Sequence, residues 1–241
     1  MAKTYFEEYG ERARTISSET VISGRYALQE EAERKIVLDL ADKLKIESSD
    51  SVLEIGCGVG NLLIPLSFFV NDITGIDHET VIGRLKNRYY SEKITLLAGT
   101  LEDQKIDGQF DKIIIYSVLH YMKDTDALFA FIDKACSLLK DSGRMLLGDI
   151  SCLGRKDRFV KSQQGQAFLQ EWNAAMSNMP QSPVFESNQE LVEITDELVM
   201  DILLHVRKKG FHSYLVEQPA DLPFGNTRED ILIVGPEWKR K

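Results

Sequence analysis

The sequence predicts an α/β fold: a mostly parallel sheet of seven strands, the last antiparallel, with helices on both faces. Three observations carry that prediction. Between residues 48 and 150, short apolar runs alternate with helical stripes. The run Ile113-Ile114-Ile115 is apolar at consecutive positions, as a strand buried on both faces requires. The first strand run, Ser51–Ile55, leads straight into three glycines. A chain of 241 residues suits one α/β domain with a real core and a modest elaboration.

Residues 1–47 read as a helical lead-in, in which Leu28, Ala32, Ile36, Leu40 and Leu44 stack on one helix face. Glu30, Glu31, Glu33, Arg34 and Lys35 lie largely off that stripe. Residues 48–150 form the core. Its strands are Ser51–Ile55, Asp72–Asp77, Ile94–Ala98, Phe110–Tyr116 and Arg144–Ile150. Helices are expected over Asn61–Val70, after the second strand through Tyr89, and on the stripe Leu128, Phe131, Ile132, Ala135, Leu138 and Leu139, closed by Gly143. The rhythm breaks at residues 151–194, where Pro180 and Pro183 interrupt the helix pattern, and this stretch reads as a helical cap insertion over the sheet. In residues 195–241, Thr195 N-caps a helix to Lys209, Gly210 ends it, and Phe211–Glu217 pairs with Asp230–Val234.

The bulk numbers narrow the function classes. A net charge of −9 argues against a large nucleic-acid surface, which needs clustered cations. No apolar run approaches the roughly 20 residues that span a bilayer. Met1 to Glu8 is polar and acidic, unlike a signal peptide. Cys57, Cys136 and Cys152 are an odd number without close spacing, which suits reduced thiols in a cytoplasm. A monomer or homodimer is expected.

Ligands of such sheets sit beyond the carboxyl ends of the strands. Gly56, Gly58 and Gly60 allow a tight turn and close approach of a ligand to the backbone, and Asn61 opens the next helix. The spacing is Gly-x-Gly-x-Gly, whereas a pyrophosphate-binding fingerprint would place its third glycine at 61, so an NAD-type dehydrogenase is disfavoured. Glu54, two residues before the first glycine, suits a cofactor with a cationic amino group. Asp77, ending the second strand, can accept from both ribose hydroxyls.

The run Val52-Leu53-Glu54-Ile55-Gly56-Cys57-Gly58-Val59-Gly60 resembles motif I of the class I S-adenosylmethionine-dependent methyltransferases. Gly99-Thr100-Leu101-Glu102 stands where that family usually has Gly-Asp-Ala-Glu, and Phe110–Ile114 and Gly143–Leu147 resemble its fourth and fifth strands. The resemblance implies a Rossmann-like fold and S-adenosylmethionine as cofactor, with S-adenosylhomocysteine as product. The acceptor is expected to be a small molecule methylated on O or N, with an anionic sugar or nucleotide-linked metabolite among the options. The implied cofactor contacts are Arg25, Tyr26, Glu54, Gly56, Cys57, Gly58, Asn61, Asp77, His78, Thr100, Leu101, Glu102, Tyr116 and Ser117. Thr100 departs from the usual acid, which leaves the backbone of Leu101 to meet the adenine.

Strand four runs out into Tyr116-Ser117-Val118-Leu119-His120-Tyr121, where the transferred methyl sits in such folds. His120 is the candidate general base, against a structural role at a strand–helix junction. Tyr121 lines the acceptor pocket or packs. Cys57 reads as a small side chain beside the cofactor. Asp149, ending strand five, is a candidate for the acceptor. His78, His205 and His212 show no ligand spacing, so no metal is expected. Tyr5, Tyr9, Arg25 and Tyr26 belong either to a segment over the cofactor, with Arg25 on the methionine carboxylate, or to a solvated helix face. The basic run Arg155 to Lys161 reads as an exposed helix face or an anion grip, and Phe168, Trp172 and Met176 as core or pocket wall. A catalytically silent cofactor-binding module is the alternative function.

Overall fold

A computed structural model describes residues 4–179 and 189–238. Pro180 and Pro183 lie outside the described residues. The seven strands are β1 (Ser51–Ile55), β2 (Asp72–Asp77), β3 (Ile94–Ala98), β4 (Phe110–Tyr116), β5 (Leu139–Ser151), β6 (His212–Val216) and β7 (Arg228–Val234). They form one sheet in the order β3-β2-β1-β4-β5-β7-β6, with β7 antiparallel to both of its neighbours and the other pairs parallel. This is the Rossmann-like arrangement with one reversed strand.

Alternation along the central strands feeds two cores. Ile113 and Ile115 face one layer; Ile114 and Tyr116 face the other. The first layer is closed by α6 (Thr125–Ser137) and α9 (Asp196–Lys208). The second is closed by α3 (Glu30–Leu44), α4 (Leu63–Leu66) and α5 (Glu79–Arg88). Ile113, Ile114 and Ile115 are all fully buried, each contributing roughly 1.5–3 kcal/mol of transfer free energy. Thr195 caps α9 by accepting from Leu198 N–H at 3.3 Å. Glu54 alternates with Leu53 and Ile55 on β1, which carries its carboxylate to the same side as Val52 and the α3 layer.

Before the sheet come α1 (Tyr5–Thr15) and α2 (Glu19–Ile22), and after β5 come α7 (Leu153–Lys161) and α8 (Gln163–Ser177). Thr4 and Glu7 make a reciprocal capping box at the start of α1.

Four expectations change. The helix expected over Asn61–Val70 is a single turn, because Pro65 sits inside it and the chain then tightens into i to i+3 bonds at Phe68 and Phe69. Asn61 does not open that helix, since its side chain bridges Glu33 at 3.0 Å and Arg88 at 2.5 Å. Gly143 does not cap α6, which ends at Ser137 and is capped at Leu138; Gly143 lies inside β5, where a Cβ would stand 2.9 Å from the Lys140 carbonyl and 3.0 Å from that of Asp111. Glu33 is not off the buried stripe of α3: it is 6% exposed, while Leu28 lies outside the helix and is 38% exposed.

Candidate active site

The turn after β1 is pinned to β2. Gly56 and Cys57 N–H both donate to the Ile76 carbonyl, at 2.9 and 3.1 Å. Gly56, Gly58 and Gly60 all have positive φ, at 79°, 55° and 88°, a conformation that favours glycine. Their surroundings differ. A Cβ on Gly56 would meet Val118 at 2.5 Å, and one on Gly60 would meet Leu85 at 2.3 Å. A Cβ on Gly58 would meet nothing within 4 Å. Gly58 therefore presents bare backbone to open space.

That space is a cavity of about 590 Å³, the size of an ordinary small-molecule site. It gathers Arg25, Glu54, Gly56, Cys57, Gly58, Asn61, Asp77, Thr100, Leu101, Glu102, Tyr116, Ser117 and Tyr121. Tyr26, His78 and His120 do not line it. Tyr26 is 39% exposed and packs on Trp172 and Phe224. His78 caps α5, takes Phe6 against its ring, and fills the space a Cβ on Gly10 would need. Tyr5, Phe6 and Tyr9 of α1 also line the cavity. The Tyr9 and Tyr121 hydroxyls share a hydrogen bond of 2.6 Å.

Two carboxylates dominate the electrostatics. Glu54 is 2% exposed and its Oε2 has no hydrogen-bond partner. Burial, and then the Asp77 charge, pushes its carboxyl well above the usual range. Asp77 accepts from Gly58 N–H at 2.7 Å and His78 N–H at 2.6 Å. Burial raises it to about 6, against the pull of those two donors. A buried acid without a partner is costly, so the site is complementary to a ligand with a cationic end. Burial likewise pushes the Cys57 thiol up, which makes it inert as a nucleophile. Thr100 spends its hydroxyl on Asp103 at 2.7 Å.

At the ends of β4 and β5, Arg25 donates to Ser117 Oγ at 2.8 Å and to Asp149 Oδ2 at 3.3 Å, and Ser117 donates to Asp149. Arg25 Nε stands 3.9 Å from Glu33 Oε1 and has no hydrogen bond. Glu33 lines the cavity and accepts from Thr20, Ser23 and Asn61. Its signal in the sequence was its spacing, three before Ile36 and seven before Leu40. Arg228, which meets Asp149 Oδ1 at 3.5 Å, carried no such signal.

His120 lies in the short turn after β4, its ring 4.3 Å from that of Tyr121. Its Nδ1 is buried and unpartnered. Burial first, then the Arg228 charge, lowers it to about 4, so it is neutral near pH 7. The sign follows. The native state favours the neutral ring, so its stabilisation is complete above the ordinary value of 6.5 and is lost as pH falls toward 4. His120→Asn is therefore expected to remove on the order of 3 kcal/mol of acid destabilisation between those limits. Urea melts of both proteins at pH 7.5 and pH 4.5 check this; identical pH dependence would contradict it.

Three of the four cations in the basic run of α7 are paired: Arg155 with Glu229 at 3.2 Å, Arg158 with Asp196 at 2.5 Å, and Lys161 with Asp157 at 2.8 Å. These contacts favour the exposed-face reading. Phe168 and Trp172 stack with ring centroids 5.9 Å apart. Among the described residues no group of three or more His, Cys, Asp or Glu could hold a metal ion, and no helix is long and apolar enough to cross a membrane.

A family model described as a methyltransferase domain matches residues 25–197. Chondramide synthase cmdD of Chondromyces crocatus is 32% identical over 130 residues, 51% of this chain and 3% of the synthase, so the chain spans a small fraction of that relative. Malonyl-(acyl-carrier protein) O-methyltransferase of Haemophilus ducreyi is 24% identical over 198 residues, covering 77% of this chain and 74% of that one. The solved structure of N-methyltransferase NodS from Bradyrhizobium japonicum, in complex with S-adenosyl-L-homocysteine, shares the fold with a TM-score of 0.61 at 16% identity, covering 98% of this chain and 100% of NodS. With the domain match spanning most of its length, this chain belongs to the class I S-adenosylmethionine-dependent methyltransferase family.

Proposed function

We propose that the chain transfers a methyl group from S-adenosylmethionine to an oxygen or nitrogen of a small-molecule acceptor. One observation carries the cofactor assignment: Gly58 opens onto a cavity that also holds the unpartnered carboxylate of Glu54. In this reading Glu54 holds the cofactor's ammonium group and Asp77 its ribose hydroxyls. Leu101 offers its backbone N–H to the adenine, flanked by Thr100 and Glu102. Arg25 offers its unpartnered Nε to the methionine carboxylate. The NodS structure with bound S-adenosyl-L-homocysteine supports the choice of cofactor.

When bound, the cofactor supplies an electrophilic methyl on a sulfonium: the S–C bond breaks as a C–O or C–N bond forms, and the electron pair returns to sulfur. The chain's own residues position the acceptor, exclude water and take its proton. Tyr121, held by Tyr9, places a hydroxyl in the cavity wall. His120 packs its ring against Tyr121 outside the cavity lining, with a buried and unpartnered Nδ1, and is the proposed proton acceptor for a substrate that enters on that side of Tyr121.

The experiment is release of S-adenosylhomocysteine from purified protein over a panel of hydroxyl and amino acceptors. His120→Ala is expected to slow kcat by about 10²-fold with little change in cofactor affinity. Near-normal turnover would retire His120 as the base. Cofactor binding without turnover on any acceptor would favour the silent-module reading.

A further inference from the structure

At the edge of the cofactor cavity, buried polar atoms without hydrogen bonds concentrate in one place. His120 Nδ1, Asp149 Oδ1, Arg228 Nε and Arg25 Nε are all buried without a hydrogen bond, although Arg228 Nε faces Asp149 Oδ1 and Arg25 Nε faces Glu33 at ion-pair distance. They meet at the edge of the sheet where β4 and β5 end and the antiparallel β7 begins. Three of the four non-glycine residues with positive φ among the described residues also sit here: Ser117 at 61°, Asp149 at 56° and Phe224 at 61°. Backbone strain of this kind persists where the surroundings enforce it and clusters at functional sites.

The two arginines are not equivalent. Arg25 is committed to Ser117, Asp149 and the Ser23 carbonyl, with Glu33 also beside it. Arg228 has one acid within ion-pair distance, Asp149 at 3.5 Å, without a hydrogen bond from Nε. Its guanidinium lies over the Phe224 ring, 4.9 Å from the centroid, and 17% of its side chain remains exposed. Phe224 in turn packs edge-on against Tyr26, and Tyr26 against Trp172 of α8. An apolar aromatic wall thus stands beside a guanidinium with donors to spare. A planar fork of this type matches a carboxylate. An ammonium would have to take Asp149 from two guanidiniums and a serine hydroxyl.

We infer that Arg228, with the Tyr26–Phe224–Trp172 wall beside it, forms an acceptor subsite that takes an aromatic carboxylate. This rests on the methyltransferase reading and names the acceptor class: a flat acid whose carboxylate is gripped by Arg228 while its nucleophilic O or N lies toward Ser117 and Tyr121. The guanidinium of Arg228, not the basic run of α7, is the anion grip.

The test uses fragments, so that it does not depend on the full acceptor. Para-fluorobenzoate, para-fluorobenzamide and para-fluorobenzylamine are titrated into the full chain by fluorine NMR, with and without saturating S-adenosylhomocysteine. Calorimetry on the same sample reports cofactor binding separately, so failure of the cofactor reading is distinguishable from failure of this one. The benzoate is expected to bind at least about tenfold more tightly than the amide or the amine. Arg228→Gln is expected to erase that preference, and Arg158→Gln, on α7, to leave it unchanged. Equal binding of benzoate and amide by the unsubstituted protein, preference for the amine, or a preference that survives Arg228→Gln would each overturn the proposal. The comparison of the three probes on the unsubstituted protein decides the matter even if the variant folds poorly.

Discussion

Gly58→Val is expected to weaken S-adenosylhomocysteine binding by at least about 100-fold while the protein still folds. The first half follows from the open space in front of Gly58, which a branched side chain would occupy. The second follows from the same openness, since the new Cβ meets no protein atom within 4 Å. The remaining cost is backbone strain at φ 55°, about 1–2 kcal/mol, which a domain of ordinary stability survives. Gly60→Val makes the contrast. Its Cβ would stand 2.3 Å from Leu85 and 3.0 Å from Ile64, so the expected damage is to the core and to the melting temperature. Calorimetry and thermal melts of the two variants separate these effects. A Gly58→Val protein that binds normally would mean the cavity is not the cofactor site.

Asp77→Ala is expected to cost about 100-fold in the same affinity, about 3 kcal/mol. The carboxylate orders the glycine turn through Gly58 N–H as well as facing the cavity, so its loss removes both a ligand contact and the template for it. Its pH dependence gives a second handle. Burial raises Asp77 to about 6, so the neutral form's contribution to folding is complete below the ordinary carboxylate value and is lost as pH climbs through 6. The ligand needs the ionised form. Affinity is therefore expected to fall below pH 6 by up to about tenfold per pH unit. Asp77→Asn should flatten that slope. Titrations at pH 5 and pH 7.5 check it, and a wild-type affinity unchanged between the two would contradict the assignment.

What the sequence made legible follows from which interactions are local. The first four strands stood out because each is a short apolar run whose period or continuity reports burial on its own. The glycine turn was legible because positive φ demands a residue type. Asp77 was legible because its position at a strand end is set by counting. Gly143 was misread because a glycine after a helical stripe fits a cap as well as it fits a strand crowded by carbonyls, and only the pairing of β5 with β4 decides. The partners of Arg25 were not legible, because Ser117 and Asp149 lie 92 and 124 residues away. The same holds for Arg228, which reaches the site only through the antiparallel return of β7. Local chemistry thus announces the glycine turn and Asp77, while the proposed acceptor subsite is assembled by tertiary contacts between residues that look ordinary in the sequence.

The most direct test of the central claim is titration calorimetry of S-adenosylhomocysteine into purified, folded protein at pH 7.5. One-to-one binding is expected, lost in Gly58→Val and weakened in Asp77→Ala. No binding by folded wild-type protein, or equal binding by wild type and Gly58→Val, would contradict it.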